Sequence, residues 1–267
     1  MLKSYRHISI VLLAIFGLVA FQSFAVANHA WGSYHWARTS NPFTLKLGDN
    51  VNNTWQPFLE EASDDWSQSS VLNTTVVAGS TRPRSFKAVT GRVEVCNASY
   101  GNNGWLGIAG IYASGNHITK GYVKVNDYYH NNAPYNSSAW RQFVMCQEIG
   151  HTLGLGHQDE DFDNANLGTC MDYGDPTGDP AQQNPDQHDY NQLETIYAHL
   201  DSTTTVGSKV PDAMNRIEFQ GPGQWGKLIH QSKDGRISLY MLDFGNGHKV
   251  FHFVTWATPR KADQDSH

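Results

Sequence analysis

The stretch Gln147-Glu148-Ile149-Gly150-His151-Thr152-Leu153-Gly154-Leu155-Gly156-His157 constrains this chain more than any other. Residues 147 and 151 are one helical turn apart, so on a helix both side chains leave the same face and converge on one point. Glu148 is offset by one step and can reach a water held there. Gly154 lets the backbone turn sharply off the helix, which brings His157 back toward the same centre. An amide oxygen and two imidazoles around one point can hold a metal ion, with a carboxylate beside them to move a proton. Gln147, His151 and His157 are therefore the candidate metal ligands, and Glu148 the candidate general base.

The surrounding pattern predicts where this motif sits. Residues 138 to about 155 read as a helix with Ser137 or Ser138 as N-cap. Strand-like pieces are expected at 34–37, 43–47, 72–77, 91–96, 105–113 and 117–126. A helix is expected from about 51 to 66, because Val51, Trp55, Leu59, Ala62 and Trp66 recur at three- and four-residue steps. Residues 158–187 are rich in Asp, Asn, Gly and Pro, and a loop of that length in a compact domain is usually functional. A further helix is expected over 189–200. After a Thr/Ser/Gly/Val linker at 201–210, three short strands are expected near 227–231, 237–243 and 249–255. The last two are joined by Asn246-Gly247, a strong hairpin signal.

The first 27 residues read as an export signal. Lys3, Arg6 and His7 precede a short apolar run, and Ala25-Val26-Ala27 supplies a small-x-small cleavage site. Removing them takes the net charge from −6 to about −8. With no Lys/Arg run, nucleic acid is not expected as a partner, nor is a membrane after signal cleavage. The expected location is outside the cytoplasm, secreted or periplasmic. In that oxidising setting three cysteines suggest one pair and one odd thiol, or else three buried thiols.

The 147–157 stretch resembles the long zinc motif of the metzincin metallopeptidases, H-E-x-x-H-x-x-G-x-x-H, with Gln147 in place of its first histidine. The resemblance extends to Thr169-Cys170-Met171-Asp172-Tyr173, which looks like the methionine turn beneath the zinc. Tyr173 matches the tyrosine that ligates zinc or stabilises the oxyanion in astacin-like and serralysin-like members. The helix at 189–200 looks like the final helix of the matrixin catalytic domain. The resemblance implies an α+β, metzincin-like catalytic domain over 28–200: a twisted mixed β-sheet, a long active-site helix, a Met-turn and a C-terminal helix. Residues 211–267 are expected to be a small β-rich C-terminal extension. It also implies one catalytic Zn2+, a protein or peptide substrate, a monomer, and an edge strand at 105–113 or its neighbour that pairs with extended substrate. If the two motifs meet around one metal, Cys146 and Cys170 lie close enough to bridge, leaving Cys96 odd.

Gln147 leaves three readings open. One is a working endopeptidase with a Gln/His/His site and Glu148 and Tyr173 as catalytic residues. Another is a catalytically impaired relative that binds peptides or surfaces. The third is a hydrolase acting on something other than protein. Asp159, Glu160, Asp161 and Asp163 could ligate Ca2+, but they lack the glycine-centred spacing of a calcium loop, and a solvated acidic loop is the expectation.

Overall fold

The computed structural model describes residues 29–206 and 222–258. The expected signal segment, residues 207–210 of the linker and the start of the C-terminal extension at 211–221 lie outside the described residues. The architecture is α+β, a mixed sheet of eight strands with helices on one face. In chain order the elements are β1 (Phe43–Asn50), α1 (Gln56–Trp66), β2 (Leu72–Ala78), β3 (Arg92–Ala98), β4 (Trp105–Ser114) and β5 (His117–Asn126). They continue with α2 (Asp127–His130), α3 (Ser138–Thr152), α4 (Gln187–Ile196), β6 (Lys227–Gln231), β7 (Ile237–Asp243) and β8 (His248–Trp256). The strand order is β2-β1-β3-β5-β4-β8-β7-β6. The β2-β1-β3-β5 half is parallel and the β5-β4-β8-β7-β6 half antiparallel.

Strand alternation gives the sheet two apolar faces. One packs Leu45, Leu47, Val93, Val95, Leu106 and Val123 against α1 and α3, whose Leu59, Trp66, Val144 and Ile149 complete the core. The other face gathers Phe86, Cys96, Trp105, Tyr122, Trp225, Val254 and Trp256. Trp55, Leu59, Ala62 and Trp66 are buried as their spacing predicts. The helix starts at Gln56 rather than near 51, because Asn52 turns the chain first: its carbonyl accepts from Trp55 N and its side chain from Thr54 N.

α3 begins at Ser138 with the Ser137 hydroxyl accepting from Trp140 N. The N-terminal stretch then wraps its far end. Trp31 Nε1 donates to His151 O at 3.2 Å, which also accepts from Gly154 N, and Trp36 Nε1 donates to Thr152 O at 2.9 Å, one of the carbonyls that a helix terminus leaves free of intrahelical bonds. Residues 34–37 do this work instead of forming the expected strand; there His35 makes only an isolated bridge with His117.

The C-terminal strands are present, and they join the main sheet through β8, which pairs with β4 from Ser114↔His248 to Trp105↔Trp256. That corrects the expectation for β4. It is an interior strand, and the extended segment on its free side is the chain's own β8.

Candidate metal centre

Gln147, Glu148 and His151 sit in the last two turns of α3 and are fully buried. Gly154 has φ +105°, where a side chain would be strained, and a Cβ there would stand 2.7 Å from Tyr34 O. This is the sharp turn the spacing requires, and it returns His157 to His151. Their ring centroids lie 4.5 Å apart at 79°. The turn thus brings His151 and His157 together in space.

The two imidazoles share one polarity. His151 Nδ1 is 2.8 Å from Leu155 O, so it carries the proton and donates. His157 Nδ1 lies 3.3 Å from the Glu160 carboxylate and donates likewise. Each ring therefore turns its Nε2 away from that partner. Both Nε2 atoms are buried, and neither has a hydrogen-bond partner among the described residues. A carboxylate or carbonyl behind each ring is the usual support for a metal-bound histidine. Burial, reinforced by the neighbouring His157, holds the His151 pKa well below the ordinary imidazole range, which keeps its nitrogen available. Burial alone would raise the Glu160 pKa. Its contacts with His157 and His230 outweigh that and bring it to about 2.

Glu148 lies under β4, where only a glycine fits: a Cβ on Gly107 would come 2.5 Å from Glu148 Oε1. Burial raises the Glu148 pKa to about 8, against the hydrogen bonds from Thr255 and the Ala109 backbone. Its Oε2 is buried without a partner among the described residues. Gln147 is held at both ends of its amide, donating from Nε2 to Cys170 O at 3.2 Å and accepting at Oε1 from the Thr255 hydroxyl at 3.0 Å.

Beneath α3, Cys146 and Cys170 form a disulfide, and Cys96 is the buried free cysteine. The bridge ties the 169–173 turn to the helix. Met171 packs there against Gly150, where a Cβ would be 2.5 Å from its sulfur. Tyr173 is buried 6.4 Å from the His157 ring, and its hydroxyl donates to Trp256 O at 3.2 Å.

Residues that sequence reasoning did not single out complete the centre. β8 lies across it: Phe253 stacks on His151 with centroids 4.4 Å apart and planes 11° apart. Thr255 donates to Glu148 Oε1 at 2.8 Å as well as to Gln147, and the Trp256 carbonyl meets Tyr173. The strand alternation of 249–255 was a signal that some side chains would face a core. Nothing in it indicates that the core is this centre. Of the acidic residues in 159–163, Glu160 faces His157 and His230, while Asp159 and Asp161 hold the loop itself. Asp159 accepts from Asp161 N and Asn164 Nδ2, and Asp161 from Asp163 N.

No family model and no curated protein sequence matches the chain. Among solved structures, it is similar to myroilysin, with TM-score 0.36 and 11% identity over 60% of this chain and 82% of that one. A second similar structure is high choriolytic enzyme 1, a hatching-enzyme zinc-protease from the medaka Oryzias latipes. There the TM-score is 0.36 and the identity 11%, over 64% of this chain and 99% of that one. Likeness at that level leaves the chemistry to the residues themselves.

Proposed function

We propose that the protein is a secreted zinc-dependent endopeptidase of metzincin type, held closed by its own C-terminal strand. One observation carries the reading. His151 and His157, whose rings are in contact, each have Nδ1 on a backbone or carboxylate oxygen and a buried, unpartnered Nε2 at the other side of the ring. Those atoms fit a zinc ion, with His151, His157 and the Gln147 amide oxygen as its protein ligands. When bound, zinc lowers the pKa of a coordinated water and polarises a carbonyl.

The other tasks fall to the chain itself. Glu148 is placed to take a proton and later return it to a leaving amine. Tyr173 already donates to a backbone carbonyl, that of Trp256, which is the service an acyl oxygen needs as it gains charge. β4 offers an antiparallel register to an extended strand, and β8 occupies it. Phe253, Thr255 and Trp256 thus stand where a peptide would lie. β8 has to yield before substrate can enter.

Casein digestion by zinc-loaded protein carrying Phe253→Ala, to loosen β8, tests the reading. Digestion that a chelator abolishes is expected, and Glu148→Gln should remove it while zinc content stays the same. Digestion that survives Glu148→Gln would overturn the assignment of the base. Zinc binding with no digestion under any condition would favour a peptide-binding relative.

A further inference from the structure

On the side of the sheet edge where β4 turns into β5, four donor atoms from three separate stretches of chain converge. They are Nε2 of His35, His117 and His199, and Oδ1 of Asp201. Asp201 Oδ1 is 3.4 Å from His35 Nε2, 3.3 Å from His117 Nε2 and 3.7 Å from His199 Nε2. His35 Nε2 and His199 Nε2 are 3.2 Å apart. The donor atoms of His35, His117 and Asp201 all lie within 4.8 Å of one another. A tetrahedral zinc with bonds of about 2.0 Å places its donors about 3.3 Å from each other. The three distances to Asp201 Oδ1 and the His35–His199 distance bracket that value; His35, His117 and Asp201 make the mutually close group, and His199 reaches it through His35 and Asp201.

The surrounding hydrogen bonds set the donors for a cation. His35 Nδ1 donates to Ser33 O at 2.8 Å, which fixes the ring with its Nε2 toward the cluster. That nitrogen faces a carboxylate oxygen at 3.4 Å and another imidazole nitrogen at 3.2 Å, donors that a cation between them can share. Asp201 is oriented by Arg38, whose Nη1 and backbone N both donate to Oδ2 at 2.9 and 3.2 Å, leaving Oδ1 for the histidines. The backbone is fixed on each side as well. Ile118 N donates to His35 O and His35 N to Asn116 O, while Asp201 N donates to Arg38 O.

We propose that His35, His117, His199 and Asp201 form a second, structural metal site that takes Zn2+. Three imidazoles and one carboxylate suit a borderline ion, and four protein donors leave no open position for a reacting water. The site pins the N-terminal stretch that wraps α3, the β4–β5 turn and the segment after α4 to one point. It shares no residue with the Gln147/His151/His157 centre.

The test compares zinc content and thermal stability of the folded, zinc-loaded protein with a His117→Ala/His199→Ala variant. Those two side chains are 36% and 55% exposed, so their removal leaves the core intact. The variant should hold one zinc equivalent fewer than the parent, and the rise in Tm that zinc produces should shrink. His199→Ala alone should weaken binding of that equivalent by about tenfold or more. Equal zinc content in parent and double variant, with equal Tm response, would overturn the site. Because the readout is a difference of one equivalent, it stands apart from whether the Gln147 centre binds zinc.

Discussion

Among single residues, Gln147 decides how well the α3 centre can hold a metal. An amide oxygen is a weaker donor than imidazole, and here the Thr255 hydroxyl and the Cys170 carbonyl orient it. Gln147→His is expected to raise zinc affinity at the centre, by about tenfold in a competition titration. A clear fall would mean the site is built around the amide. Gly154 is the second sensitive position. With φ +105° and Tyr34 O at 2.7 Å from any added Cβ, Gly154→Ala should cost about 1–3 kcal/mol, read as a lowered Tm. His130 supplies a pH dependence. Burial pushes its pKa down to about 3, so the fold holds it neutral. The unfolded chain takes up a proton below about 6.5. Its contribution to stability is therefore complete above pH 6.5 and is lost as pH falls toward 3. Denaturant melts of His130→Leu should fall less steeply over that window than those of the parent.

At the scale of elements, α3 and its return at Gly154 were legible in the sequence because one period and one glycine dictate both. The strands β5, β6 and β7 were legible too, with boundaries matching the alternation of their residues. Two features were not. Residues 34–37 alternate like a strand, yet their Trp and His side chains serve helix carbonyls and the His/Asp cluster. The partner of β4 was hidden because alternation gives a strand its faces and says nothing about its neighbour. β8, distant in sequence, fills that place with its own hairpin and lays Phe253 and Thr255 over the centre. Replacing Phe253 by Ala together with Thr255 by Val removes the ring over His151 and the hydroxyl between Gln147 and Glu148. Loss of about 1.4 kcal/mol of closing contact is a factor of ten. Peptide hydrolysis by the double variant should rise by about that much, whereas an unchanged rate would separate β8 from latency.

At the scale of the whole molecule, long-range ties hold the centre together. The Cys146–Cys170 bridge closes a separation of 24 residues and fastens the Met171 turn to α3. By the loop-entropy relation its removal as Cys146→Ser/Cys170→Ser should cost about 3 kcal/mol, seen as a lower denaturation midpoint under non-reducing conditions. The one-sheet construction joins β6, β7 and β8 to the body of the fold, so the C-terminal strands and the centre share a core. Among the described residues no helix is long and apolar enough to cross a membrane.

Whether the α3 motif holds zinc despite its glutamine shows in the zinc content of the His117→Ala/His199→Ala background, where the second site is disabled, with and without His151→Ala/His157→Ala. One zinc per chain is expected before those changes and none after. A folded background protein that takes up no zinc would contradict that expectation.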